Sequence, residues 1–135
     1  MASLLSPLMV VGDDTSFRYL MQRYAQKIAR PVVLAHFAED IVALALRETP
    51  TVVIVELDFP GERGLAILAA FKAAPLTAAI PIILCSWTDE TEYDLDEGAA
   101  ALYLRKPILY DDFCTALADV GVDLSLSQEM PVCET

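Results

Sequence analysis

The chain alternates between short runs of consecutive apolar residues and longer segments in which apolar residues recur every three or four positions. The apolar runs predict five strands, at residues 7–11, 32–35, 51–57, 80–86 and 101–105. Short runs that are apolar throughout are typical of strands buried on both faces of a parallel sheet. The third run is the clearest strand because it is rich in β-branched residues.

The segments between the runs have a period of three to four residues and predict amphipathic helices. The first helix begins near Asp14 or Thr15, either of which can cap it, and ends before Pro31. Four more helices are predicted at 39–47, 65–73, 88–97 and 111–120. We expect the helix at 88–97 to be short or irregular, because few residues separate Ser86 from Lys106.

Strands that alternate with helices predict one α/β fold for most of the chain. Parallel strands need crossover connections, and right-handed crossovers favour a doubly wound sandwich. We therefore expect a (βα)5 flavodoxin-like sandwich with a parallel five-stranded sheet of order 2-1-3-4-5. Residues 1–122 are predicted to form this domain, and residues 123–135, which lack a periodic pattern, a mobile C-terminal tail.

Composition narrows the possible partners and locations. The 135 residues carry a net charge of −11, which argues against contact with nucleic acid. No apolar run is long enough to cross a membrane, so no membrane association is expected.

The three cysteines have no metal-site or CxxC spacing and are interpreted as reduced thiols of a cytoplasmic protein. One domain and a short tail account for the whole length, which predicts a stand-alone module.

The charge is distributed unevenly along the chain. The first 30 residues are mildly basic, and their cations are expected on the solvent-exposed face of the first helix: Arg18, Arg23, Lys27 and Arg30. Six acidic residues crowd into positions 89–97 without one base. Two interpretations of this acidic segment stay open, a solvated helix that frays because like charges repel, or a surface for a partner protein.

Several polar side chains follow the predicted strands. In a sheet of this kind, ligands bind in the crevice beyond the carboxyl ends of the strands. Carboxylates there suit Mg²⁺, and a hydroxyl with a lysine suits the oxygens of a phosphoryl group. The residues delivered to this edge are Asp13 and Asp14 after the first strand, Glu56 and Asp58 at the third, Ser86 at the fourth and Lys106 after the fifth.

In this order, these residues resemble the receiver (CheY-like) domain of two-component response regulators, over about residues 7–120. The resemblance also rests on a carboxylate four residues before Pro60 and on the dipeptide Lys106-Pro107. It implies the following assignments: Glu56 at the phosphoacceptor position, Asp13, Asp14 and Asp58 as the acidic pocket around Mg²⁺, Ser86 and Tyr103 as switch residues, Lys106 as the phosphate-site lysine, and a cis peptide bond before Pro107.

The chain departs from the receiver pattern at three positions. Glu56 stands where the family has aspartate, and its extra methylene places the carboxylate roughly 1.3–1.5 Å further out. A misplacement of about 1 Å costs on the order of 10²-fold in rate. Gly12 stands at the first acid position, and the bulky Trp87 follows Ser86 and would crowd access to the acceptor. Binding of Mg²⁺ is therefore expected to be weak or absent because of Gly12 and Glu56.

Three functions follow from this pattern. The leading hypothesis is an atypical receiver, not an enzyme, that signals without phosphorylation by contacting a histidine kinase or an output protein. A homodimer through the face of the fourth helix, fifth strand and fifth helix is also considered. The first alternative is a working phosphoacceptor that uses Glu56 or Asp58 with Mg²⁺. The second is a small ligand- or flavin-binding flavodoxin-like protein, for which the chain offers no GxGxxG or P-loop motif.

Overall fold

The computed structural model describes residues 6–58, 61–93, 95 and 100–124. All five strands of its sheet are parallel, and the sheet order is β2-β1-β3-β4-β5. The strands are β1 (Leu8–Val11), β2 (Val32–Ala35), β3 (Val52–Glu56), β4 (Ile82–Ser86) and β5 (Leu102–Arg105). The predicted α/β class and strand order are therefore confirmed.

Within the described residues, four α-helices connect and follow the strands. They are α1 (Thr15–Lys27), α2 (Ile41–Glu48), α3 (Glu62–Ala73) and α4 (Tyr110–Asp119). Within the described ranges, no helix combines the length and the apolar content needed to cross a membrane. The segment predicted as a short or irregular helix at 88–97 contains a 3-10 helix, Glu90–Glu92, while residues 94 and 96–99 lie outside the described residues.

Both faces of the sheet are covered by apolar helix faces. Successive strand residues point to opposite sides, so one layer of the core packs under α1 and α4 and the other under α2 and α3. The first layer contains Leu8, Val10, Ile54, Ile83, Phe17, Met21, Phe113 and Leu117. The second contains Met9, Val11, Val53, Leu84, Ile41, Leu44, Leu68 and Phe71. The carboxyl ends of the strands remain as the edge where polar residues gather.

Arg30 corrects the expectation that the basic residues of the first segment all face solvent. Only 8% of Arg30 is exposed, and its guanidinium donates to the carbonyl oxygens of Ser6 at 3.2 Å and Asp123 at 2.6 Å. Helix α1 ends at Lys27, so Arg30 lies beyond the helix and turns toward the core. The arginine joins both ends of the described chain, and residues 125–135 of the predicted tail lie outside the described residues.

The cysteines do not share one state. Cys85, on β4, is free and fully buried, and burial raises the pKa of its thiol to about 12. Cys114, on α4, is disulfide-bonded. The interpretation of the cysteines as reduced thiols is therefore wrong at Cys114, because neither its apolar surroundings nor the cysteine spacing encodes the oxidation state. Cys133 lies outside the described residues.

Replacing Arg30 should destabilise the domain. The variant Arg30→Met keeps most of the side-chain volume but leaves the carbonyls of Ser6 and Asp123 without their charged donor. We expect a loss of about 1–3 kcal/mol in the free energy of unfolding, measured in urea. The matched variant Arg23→Met, on the exposed face of α1, should leave the free energy nearly unchanged. Equal effects of the two variants would contradict the structural importance of Arg30.

Candidate functional site

The centre of the site is a buried ion pair between the end of β3 and the loop after β5. Glu56 is the last residue of β3 and is 1% exposed. Lys106 follows β5, and its Nζ lies 2.7 Å from Oε2 of Glu56. Because little of either side chain is exposed to solvent, each charge is compensated by the other rather than by water.

Gly12 makes room for the Glu56 carboxylate. A Cβ atom at position 12 would lie 2.5 Å from Oε1 of Glu56 and 2.9 Å from its Cβ, far inside van der Waals contact. The same Oε1 accepts a hydrogen bond from the backbone N–H of Asp14 at 3.3 Å. The glycine at the first acid position and the glutamate at the acceptor position are therefore two parts of one arrangement, since the longer side chain uses the space that the glycine leaves.

Aromatic rings complete the surroundings of Lys106. Its Nζ lies 4.7 Å from the centroid of the Phe17 ring and 5.9 Å from that of Trp87, both within the range of cation–π attraction. The peptide bond between Lys106 and Pro107 is cis, as the resemblance predicts. Trp87 itself is 63% exposed, so its ring stands at the rim of the site next to the lysine.

The carboxylates of the two acids after β1 bind other partners than Glu56 or its lysine. The carboxylate of Asp14 caps α1 by accepting from the N–H of Phe17 at 2.8 Å. The carboxylate of Asp13 accepts from the N–H of Phe37 at 3.1 Å and from Arg63 at 3.0 Å, and it contacts His36 Nδ1 at 3.2 Å. The Phe37 N–H, followed by His36 and Arg63, holds the pKa of Asp13 below its usual value.

The donor set does not fit a Mg²⁺ site. In the part of the chain that the structure describes, no group of three or more His, Cys, Asp or Glu side chains is placed to hold a metal ion. Glu56 is bound to Lys106, Asp13 and Asp14 are bound as above, and Asp58 is exposed in the loop after β3. Three of these four carboxylates already bind protein donors, which leaves few oxygen ligands free to converge on Mg²⁺.

The two predicted switch residues are joined through Thr88, whose N–H donates to Ser86 and whose carbonyl accepts from Tyr103, and Ser86 also contacts Tyr93, a residue that sequence reasoning missed. Ser86 is 1% exposed, and its Oγ lies 2.8 Å from the hydroxyl of Tyr93. The hydroxyl of Tyr103 donates to the carbonyl of Thr88 at 2.5 Å. Burial raises the pKa of Tyr103, and the Ser86 hydroxyl opposes that rise. An aromatic residue in an otherwise acidic segment was the one available signal for Tyr93.

An apolar cavity of about 130 Å³ opens beside the ion pair. Its lining residues come from α1 and from the loops after β4 and β5: Asp14, Ser16, Phe17, Leu20, Trp87, Lys106, Pro107 and Ile108. The volume suits one bulky side chain better than a cofactor, because small-molecule sites are about 300–1,000 Å³. Trp87 forms one wall of this cavity, at the position where crowding was expected.

Comparisons with known proteins agree with the fold. No family model matches the chain. It is 30% identical over 107 residues to protein PilH of Pseudomonas aeruginosa, covering 77% of this chain and 88% of PilH. It is 29% identical to the sensory/regulatory protein RpfC of Xanthomonas campestris pv. campestris, covering 90% of this chain. The chain spans 17% of the length of RpfC, so the expectation of a stand-alone module stays a prediction.

A solved structure supports the same fold. The chemotaxis response regulator CheY4 of Vibrio cholerae superposes with a TM-score of 0.72 at 19% identity. The alignment covers 86% of this chain and 98% of CheY4. At this level of identity the likeness concerns the fold, and the site must be judged from its own side chains.

Breaking the ion pair on one side should cost more stability than removing it. Lys106→Met leaves the buried Glu56 carboxylate without its cation, so we expect a loss of about 3–5 kcal/mol in the free energy of unfolding. The double variant Glu56→Gln with Lys106→Met should recover most of that loss, because no uncompensated charge remains. Urea unfolding of the single and double variants measures both effects.

The exposed pair of Arg105 and Asp89, 3.4 Å apart, supplies the control. Arg105→Met should leave the free energy of unfolding nearly unchanged, because exposed pairs are screened by water. If Lys106→Met is as stable as Arg105→Met, the buried charge of Glu56 does not need its partner to keep the domain stable.

Proposed function

Because this chain belongs to the response-regulator receiver family of two-component signalling, we propose that it is an atypical receiver that acts through protein contacts without being phosphorylated. The buried Glu56–Lys106 pair is the observation that carries the proposal. We assign the chain no enzymatic step of its own. A cytoplasmic location is proposed from the family alone.

The ion pair opposes phosphoryl transfer to Glu56. An acceptor carboxylate needs a free oxygen in line with the incoming phosphoryl group. Oε2 of Glu56 is held by Lys106, Oε1 by the N–H of Asp14, and the residue is 1% exposed. To react, Glu56 would have to leave both partners and expose Lys106 unpaired. The extra methylene adds a misplacement whose cost is on the order of 10²-fold for about 1 Å.

We also propose that the site binds Mg²⁺ weakly or not at all. Asp13 is held on the surface by Arg63 and by the N–H of Phe37, and Asp14 is needed to cap α1. Recruiting either carboxylate to a metal would therefore break bonds on which the local fold depends. Asp58, being exposed, is the remaining carboxylate of the predicted acidic pocket.

The partner is proposed to be a histidine kinase or an output protein. The exposed ring of Trp87 lines the 130 Å³ cavity, and Tyr19 on α1 is another large side chain that is exposed. Arg23 and Lys27 are exposed further along α1. In a chain with a net charge of −11, this basic and apolar surface suits an acidic partner segment that inserts one bulky side chain.

A homodimer through the surface of the 3-10 helix, β5 and α4 remains a second proposal for contacts. That surface carries the exposed acids Asp89, Glu90 and Glu92. Arg105 is the exposed base at the end of β5 that pairs with Asp89. Two copies would have to bring these acids close together, which favours a partner of different charge over a second copy.

Incubation with acetyl phosphate and Mg²⁺, followed by intact mass measurement, tests the proposed function. We expect no phosphoryl adduct on this chain under conditions that label a receiver with an aspartate acceptor. An adduct mapped to Glu56 would overturn the proposal. An adduct that disappears in Asp58→Asn would establish the alternative acceptor, and a purified protein with flavin absorbance would establish a ligand-binding function instead.

A further inference from the structure

Tyr93 bridges two loops at the rim of the site. It is 8% exposed, although it directly follows the exposed 3-10 helix Glu90–Glu92. Its ring covers Gly61, where a Cβ atom would lie 2.7 Å from Cε1 of the tyrosine. Gly61 has φ +81°, a conformation that favours glycine, and it precedes the first residue of α3. The side chain therefore fixes the start of α3 against the segment that follows β4.

The hydroxyl of Tyr93 belongs to a connected network of hydrogen bonds. It lies 2.8 Å from Oγ of Ser86, and the same Oγ accepts from the backbone N–H of Thr88 at 3.0 Å. The carbonyl of Thr88 in turn accepts from the hydroxyl of Tyr103, on β5. The rings of Tyr93 and Tyr103 are 6.2 Å apart. Bonds linked in this way in a buried setting strengthen one another.

This network satisfies Ser86 without the acidic pocket. A serine hydroxyl offers one donor and two acceptor positions. The N–H of Thr88 uses one acceptor position, and Tyr93 pairs with the hydroxyl as donor or acceptor. On the other side, Glu56 and Lys106 are bound to each other. The serine and the ion pair are thus neighbours whose bonding needs are met separately.

We propose that Tyr93 is a positioning residue that holds Ser86, Thr88 and Tyr103 in one arrangement, whatever the charge of the Glu56 pocket. In this arrangement Tyr93 holds the surface formed by the 3-10 helix and β5 in one conformation. The inference goes beyond the proposed function, which concerns whether the pocket is phosphorylated. Ser86 and Tyr103, the predicted switch residues, therefore keep one arrangement when the charge of the pocket changes.

The hydroxyl and the ring of Tyr93 can be tested separately. Tyr93→Phe keeps the ring over Gly61 and removes only the hydroxyl, while Ser86→Ala removes its partner. We expect each variant to speed amide hydrogen exchange of Thr88 about fivefold, the equivalent of losing one net hydrogen bond of about 1 kcal/mol. The double variant should exchange no faster than the faster single variant, because both changes break the same network.

Two controls complete the experiment. Tyr19→Phe makes the same chemical change at a tyrosine that is 58% exposed and should leave the exchange of Thr88 unchanged. The double variant Glu56→Gln with Lys106→Met alters the pocket and should also leave it unchanged. Unchanged exchange in Tyr93→Phe would show that the tyrosine only fills space, and would overturn the inference.

Faster exchange of Thr88 in the double variant Glu56→Gln with Lys106→Met would also overturn the inference. It would show that the hydrogen-bond network depends on the Glu56–Lys106 pair. Circular dichroism of each variant establishes that it is folded, and Ser86→Ala tests the network should Tyr93→Phe be poorly folded. Hydrogen exchange at Thr88 is independent of labelling by acetyl phosphate. The inference and the proposed function can therefore fail separately.

Discussion

The buried ion pair between Glu56 and Lys106 constrains the rest of the site. Removing two charges from water costs several kcal/mol per ion, so each must be well satisfied inside the protein. The carboxylate meets this demand with Lys106 on one oxygen and the N–H of Asp14 on the other, and the ammonium lies against the ring of Phe17. The pair fits only because position 12 is glycine. Two departures from the receiver pattern thus have one physical cause.

Because the Glu56 carboxylate is bound to Lys106, the other polar groups at the carboxyl ends of the strands bind other partners. Asp14 caps α1, Asp13 joins Arg63 on the surface, and Ser86 pairs with Tyr93. Each of these bonds removes a group from the set that phosphoryl chemistry would need. The apolar cavity beside Trp87 stays open to other molecules. This distribution of bonds is the basis of our proposal that the chain acts by contacting a protein partner.

The fold was predictable because it depends on patterns repeated along the chain. The strand predicted at 51–57 is observed as Val52–Glu56, and the expected strand order is observed as well. Side-chain directions were less predictable, because they depend on donors distant in sequence. The Asp13 carboxylate is oriented by hydrogen bonds from the Phe37 N–H and from Arg63, and no periodic pattern in the sequence predicts those contacts. Tyr93 was missed for the same reason, since its partners Ser86 and Gly61 meet it only in the folded chain.

An NMR titration with Mg²⁺ that follows the side-chain signals of Glu56 and Lys106 tests whether their ion pair persists. We expect the carboxyl carbon of Glu56 and the Nζ of Lys106 to keep their shifts, because the pair persists and the described residues hold no cluster of three or more metal-ligating side chains. Saturable shifts of both signals, with loss of the contact between them, would contradict it. Such a result would show that the pocket opens to a cation and that the pair is a resting arrangement rather than a permanent one.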